Sequence, residues 1–191
     1  RSTQEFIEQH IPRSTFIGLA GGFAPWVGAM IVDVKQPILL VANENQIEEA
    51  ITRLSRVGFD NVLGCLDGGV TAWQAAGKEV DRITSMTADA FASLAKAGDV
   101  KVIDVRKPGE FASEHVLDGE SMPLAALNDH LAELPKDTPF YLHCQTGYRS
   151  LIAGSILKAR GYHNGIDVQG GFAAIKETDV PVSDWVCPST L

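Results

Sequence analysis

Cysteine, glycine and arginine fall within six residues in Cys144-Gln145-Thr146-Gly147-Tyr148-Arg149, a combination suited to holding a reactive sulfur. The thiolate is the nucleophilic form of cysteine, and thiols at helix N-termini or beside cations ionise more readily than free ones. Phe140-Tyr141-Leu142-His143 has the pattern of a buried strand, with Cys144 as its last residue. An amphipathic helix follows Arg149 at once, with Leu151, Ile152, Ile156 and Leu157 on one side and Lys158 and Arg160 at its end. A short loop held between a strand and a helix N-terminus can curl its N–H groups inward, and with the positive end of the helix dipole they form an anion cradle. Gly147 lets the backbone turn tightly. In this reading Cys144 is the nucleophile, the backbone of Gln145, Thr146, Gly147, Tyr148 and Arg149 lines the cradle, and the planar fork of Arg149 grips an oxyanion. This chemistry requires no metal and no organic cofactor.

The other thiols lack such a setting. Cys65 lies in Val62-Leu63-Gly64-Cys65-Leu66, a core context, and Cys187 in Val186-Cys187-Pro188 reads as an incidental thiol. Three widely spaced cysteines form neither a disulfide framework nor a metal-ligand pattern, and a reducing cytoplasm is the simplest setting. With 45% apolar and 21% charged residues among 191, the chain can build a core without covalent staples. A net charge of −8 argues against an extended nucleic-acid-binding face, which needs clustered cations. No apolar run reaches the roughly 18 residues of a membrane helix; the richest stretch, 16–34, is broken by Gly18, Gly21, Gly22, Pro25 and Gly28. The N-terminus lacks a signal-peptide layout. Trp26 and Trp73 read as packing aromatics, and Glu44, Glu48 and Glu49 as a solvated helix face.

The elements that must position the loop recur along the chain. Arg1, Glu5, Phe6, His10 and Ile11 align with Arg106, Glu110, Phe111, His115 and Val116 at a constant offset of 105. Gly58, Asn61, Gly68 and Gly69 match Gly161, Asn164, Gly170 and Gly171 at offsets of 103 and then 102. Two such matches in order imply two copies of one fold. The second copy alternates: a helix over 87–97, strand 100–105, helix 108–113, a helix over 124–134 closed by Pro135, strand 138–144, helix 150–160, strand 165–169 and a short helix after Gly171. Such alternation predicts an α/β fold with a parallel sheet flanked by helices on both faces. In it the Cys144 loop sits where a strand end meets a helix start. The strand preceding Arg106 has no counterpart before Arg1, so the chain is expected to begin inside a longer polypeptide. The two domains are expected at 1–80 and 85–191, with a linker around 77–87.

The Cys144–Arg149 loop resembles the active-site loop of the rhodanese family. Asp104-Val105-Arg106, Glu110-Phe111, Glu114-His115-Val116 and Gly170-Gly171-Phe172 are similar to that family's other recurrent motifs. In copy one, Leu39-Leu40-Val41-Ala42-Asn43-Glu44-Asn45-Gln46 holds the loop position without cysteine or a following arginine, so copy one resembles an inactive rhodanese-like domain. The resemblance implies a sulfurtransferase that moves sulfane sulfur from a donor such as thiosulfate or glutathione persulfide, through a Cys144 persulfide, to a thiophilic acceptor. It implies structural roles for Asp104, Arg106, Glu110 and His115, with Gly170-Gly171 as a turn. An inactive copy followed by an active one also resembles the C-terminal half of fusions with a metallo-β-lactamase-fold persulfide dioxygenase. Two other classes stay open: a cell-division-cycle phosphatase or arsenate reductase, disfavoured because that group's loop is one residue longer, and a non-catalytic interaction module.

Overall fold

A computed structural model describes residues 1–98 and 100–187. The chain divides into two units, Arg1–Arg82 and Ile83–Leu191. In the first, α1 (Thr3–Glu8), α2 (Phe23–Met30), β1 (Ile38–Leu40), a 3-10 turn at Glu44–Gln46, α3 (Ile47–Ser55), β2 (Val62–Cys65) and α4 (Gly69–Ala75) follow in order. β1 and β2 pair in parallel, joined by the α3 crossover. The Ser2 hydroxyl accepts the Glu5 N–H at 3.2 Å and the Glu5 carboxylate accepts the Ser2 N–H at 2.7 Å, a reciprocal cap on α1. Ala50 and Leu54 of α3 pack with Leu19, Phe23, Val27 and Phe59, against which Ile38, Leu40 and Val62 also rest. Glu44, Glu48 and Glu49 are exposed, as a solvated face should be. On the strands, Leu39 and Leu63 also face solvent.

The second unit contains β3 (Ser85–Met86), α5 (Ala88–Ala97), β4 (Val102–Asp104), α6 (Pro108–Ser113), β5 (Glu120–Ser121), β6 (Phe140–His143), α7 (Tyr148–Ala159), β7 (Gly165–Val168) and α8 (Gly171–Ile175). Its five strands lie in the order β3-β7-β6-β4-β5, each pair parallel. Every residue of β4 and β6 is buried, as a central parallel strand covered on both faces requires. On one face, Phe91 and Ala92 of α5 and Phe172 and Ile175 of α8 pack over Val102, Tyr141 and Val168. α7 covers the other face and buries its side chains from Ser150 to Leu157. The chain is thus α/β, with parallel sheets flanked by helices. Among the described residues no helix is long and apolar enough to cross a membrane.

Four elements differ from the sequence expectation, of which β5 (Glu120–Ser121) has no counterpart in it. The helix expected over 124–134 is two 3-10 turns, Leu124–Asp129 and Leu131–Glu133. Leu124 and Leu127, both buried, are three residues apart, and residues three apart eclipse in a 3-10 helix. The helix after the cysteine loop starts at Tyr148 rather than Ser150, so Tyr148 and Arg149 form its first turn. Ser85–Met86, expected in the linker, is an edge strand paired with Asp167–Val168. Strands of two residues are too short to show alternation.

Leu151→Ala removes a fully buried side chain from α7 and should destabilise the second unit by about 2–5 kcal/mol, seen as a lower urea midpoint. Leu117 is 47% exposed, and Leu117→Ala should shift the same transition by less than about 0.5 kcal/mol.

Candidate active site

Cys144 follows the last residue of β6, and its side chain is buried. The loop can turn its N–H groups toward the sulfur because its carbonyls bond elsewhere. The Phe172 N–H donates to the Cys144 carbonyl at 2.7 Å and the Ala173 N–H to the Gln145 carbonyl at 3.1 Å. Both donors come from the first turn of α8, brought close by Gly171: a Cβ there would lie 2.4 Å from the Cys144 oxygen, and its φ is +60°. Gly171 is therefore the contact that seats the loop, a closer role than the turn expected of Gly170-Gly171. Gly147, at φ +105°, reverses the chain into α7, and its N–H donates to Cys144 Sγ at 3.2 Å. The first turn of α7 directs further N–H groups out of the helix end. Thr146 is exposed, and Gln145 and Tyr148 are half-buried.

Arg149 is gripped from an unexpected side. Its Nη1 and Nη2 donate to the two oxygens of Glu110 at 2.6 and 2.8 Å, a fork-to-fork pair. That carboxylate holds the guanidinium protonated above its usual range, reinforced by the charge of Cys144 and a hydrogen bond with it. In return, the Arg149 bonds hold Glu110 below the usual carboxylate range. Glu110 also accepts the Lys107 N–H at 3.1 Å, capping α6 as Glu5 caps α1. A residue expected to be structural thus aims the cation beside the sulfur.

Asp104 and Arg106 form a buried pair. Asp104 accepts the Arg106 backbone N–H (2.9 Å), Nε (2.8 Å) and Nη2 (2.6 Å). Arg106 in turn donates to the Glu114 carbonyl at 2.7 Å and to Gln145 Oε1 at 3.3 Å, and its guanidinium lies 4.0 Å over the Phe172 ring. The pair ties β4 to the cysteine loop and to α8. His115 stacks on Phe111 with centroids 4.0 Å apart and bonds the Phe111 carbonyl at 2.8 Å through Nδ1. His10 does the same with Phe6, at 4.1 Å and 2.8 Å. The shared geometry in a copy without a nucleophile fits a structural role for both.

The corresponding region of the first unit has the same support without the thiol. Val41, Ala42 and Asn43 follow β1, with no thiol among them. Glu5, the counterpart of Glu110, accepts a bond from the Asn43 amide at 3.3 Å instead of an arginine fork.

Among the described residues, two buried titratable groups, His143 and Asp167, were not singled out from sequence. His143, fully buried, has Nδ1 3.3 Å from the Cys144 carbonyl and Nε2 3.9 Å from Asp104 Oδ2. Burial depresses its basicity more than Asp104 restores it, which keeps the ring neutral. Asp167, in β7 under α7, is 2% exposed. A polar residue inside an otherwise apolar strand was the available signal for each.

Burial pushes the Asp167 carboxyl from its ordinary 3.8 up to about 6, against a smaller opposing pull from the Ser150 hydroxyl. The folded protein thus holds this proton more tightly than the unfolded chain. The resulting stability cost is absent at low pH, grows as pH rises through the interval between those two values, and is constant above it. Asp167→Asn should raise stability to urea at neutral pH by on the order of 2–3 kcal/mol and lose that advantage in acid below the ordinary carboxylate range.

The chain is similar in sequence to known proteins. A family model for the rhodanese-like domain matches residues 1–76 and again 87–178. A sulfurtransferase of Allochromatium vinosum is 30% identical over 89 residues, which is 47% of this chain and 83% of that protein. The uncharacterized protein YqhL of Bacillus subtilis is 38% identical over 72 residues, and the chain spans just 57% of its length. The thiosulfate sulfurtransferase GlpE of Pseudomonas syringae pv. syringae is 30% identical over 77 residues, 40% of this chain and 73% of that protein. The crystal structure of a rhodanese-related protein from Thermoplasma volcanium is similar at a TM-score of 0.48 and 29% identity, covering 52% of this chain and 97% of that one. Matched twice along its length, the chain belongs to the rhodanese family and carries two rhodanese-like domains in tandem.

Proposed function

We propose that the second unit is a sulfurtransferase whose Cys144 carries sulfane sulfur as a persulfide. The Cys144 thiolate attacks the outer sulfur of a donor such as thiosulfate. A new S–S bond forms, the donor's own S–S bond breaks, and sulfite leaves with the electron pair. An acceptor thiolate or cyanide then attacks the terminal sulfur, and Cys144 departs as thiolate. The two half-reactions return the enzyme unchanged, and neither consumes an external oxidant. The observation that carries this reading is the Gly147 N–H on Cys144 Sγ at 3.2 Å, in a loop whose carbonyls are bound by α8. The same inward donors suit a terminal persulfide anion. Arg149, aimed by Glu110, faces the anionic end of the donor. The relatives named sulfurtransferases support the reaction class.

The first unit, without a nucleophile in its loop, serves as a non-catalytic partner. Three widely spaced cysteines, without a disulfide-framework pattern in the sequence, suit a reducing compartment such as the cytoplasm. The tandem order of inactive and active domains supports membership in a larger fusion with a metallo-β-lactamase-fold persulfide dioxygenase.

Incubation with thiosulfate should add the mass of one sulfur atom to the protein, lost again on addition of cyanide as thiocyanate forms. Cys144→Ser should abolish the gain, whereas Cys65→Ser and Cys187→Ser should keep it. Release of phosphate from an aryl phosphate, with no sulfur gain, would overturn the reading in favour of a phosphatase; an unchanged mass with no turnover at all would leave a binding module. Arg149→Ala should raise KM for thiosulfate about ten- to a hundredfold, the weight of a charge-assisted hydrogen bond, with a smaller effect when the donor is an uncharged organic persulfide.

A further inference from the structure

Asp167 is a buried acid that sulfur transfer, as described, does not use. Its Oδ1 has no hydrogen-bond partner among the described residues. Strand register sets it beside Ser85 of β3 and Leu142 of β6, and its carboxyl is hydrogen-bonded with the hydroxyl of Ser150 in the first turn of α7. Ser150 is fully buried, and its hydroxyl donates to the Gly147 carbonyl at 3.2 Å. Gly147 is the residue whose N–H reaches Cys144 Sγ. A continuous chain of contacts therefore runs from Asp167 through Ser150 and Gly147 to the sulfur.

Among the described residues no charged group opposes or supports the acid. Ser85, Leu142 and Ser150 are neutral. His143 and Asp104, with Arg106 paired to the latter, lie on the other face, because successive residues of a strand point to opposite sides. Glu110 and Arg149 bond each other. Burial and the Ser150 bond are what set its proton affinity.

A hydroxyl has a single proton to donate. While Ser150 gives its proton to Gly147, the Asp167 carboxyl can bond Ser150 only as a donor, and so only when protonated. Once ionised, the carboxylate takes the Ser150 proton. The Gly147 carbonyl loses that bond, and a buried negative charge lies under a loop built to hold a sulfur anion.

We propose that protonated Asp167 is a positioning residue for the Cys144 loop, acting through Ser150 and Gly147, and that its ionisation weakens the cradle's hold on anionic sulfur. The idea rests on the reading of Cys144 as the sulfur carrier. It is tested by the rate of Cys144 alkylation with iodoacetamide, followed by intact mass across mildly acidic to mildly alkaline pH. Cys65→Ser and Cys187→Ser in the background leave one reactive thiol. With Asp167 in place, the rise of rate with pH should be interrupted by a shallow step centred at about 6. Asp167→Asn is neutral at every pH and its amide can still donate to Ser150. It should show one unbroken rise and react roughly fivefold faster on the alkaline side, the effect of removing a nearby buried charge. A profile without the step overturns the proposal even if the Asn variant does not fold, and so does an Asn variant that keeps the step or reacts no faster. Alkylation uses no sulfur donor, so this result stands apart from the thiosulfate experiment, whose failure would count against the sulfur carrier instead. Absence of labelling at every pH overturns the proposal and leaves the sulfur carrier to the thiosulfate experiment.

Discussion

A loop can present a ring of N–H donors to an anion only if its own carbonyls are satisfied in the opposite direction. Here that condition is met by α8, whose first N–H groups bind the carbonyls of Cys144 and Gln145. Unbonded, those carbonyls would rotate toward any nearby donor and carry their negative ends toward the sulfur, since buried backbone groups do not remain unpaired. The approach of α8 depends in turn on the missing side chain of Gly171, as a methyl group there would lie 2.4 Å from the Cys144 oxygen. The surroundings of the sulfur are thus set by two helix starts: Gly147, the cap of α7, turns its N–H to the sulfur, and α8 binds the loop carbonyls.

Around that loop, charge is arranged in layers. Arg149 stands beside the sulfur, turned there by Glu110. The buried Asp104–Arg106 pair lies behind the loop, with one arm on Gln145 and its guanidinium over Phe172. Burying both members of an ion pair is costly unless further hydrogen bonds satisfy them. The Glu114 carbonyl and the Arg106 backbone N–H supply those bonds. His143, kept neutral by burial, adds no charge behind Cys144. Two guanidinium groups, each paired with a carboxylate, are therefore held beside the loop in a chain of net charge −8.

The first unit shows which parts of this arrangement serve the scaffold alone. The reciprocal cap at Ser2 and Glu5, the stacking of His10 on Phe6, and the positive-φ pair Gly68 and Gly69 each repeat a feature of the second unit. What is absent is the thiol after the strand and the arginine five residues on, and the spare carboxylate oxygen of Glu5 turns to Asn43 instead. The glutamate at the helix cap is thus a scaffold residue that acquires a role at the sulfur site only when an arginine is within reach.

Much of this was legible in the residues alone. The repeat, the buried strand before Cys144, the amphipathic helix after it and the glycine between them are local patterns, written in spacing and residue type within a few turns of chain. These patterns sufficed to name an α/β fold with parallel sheets and to single out the loop after β6 as the candidate site. The pairing of Glu110 with Arg149, 39 residues apart, the contact of Gly171 with the Cys144 carbonyl and the placing of Asp167 beneath Ser150 were decided only by the tertiary structure. Each depends on strand register and on which faces of two helices meet, and neither leaves a periodic signal in the chain. The two-residue strands and the 3-10 turns at Leu124–Asp129 and Leu131–Glu133 were illegible for a related reason. Segments so short have little intrinsic preference and take the conformation that the neighbouring sheet and helix impose.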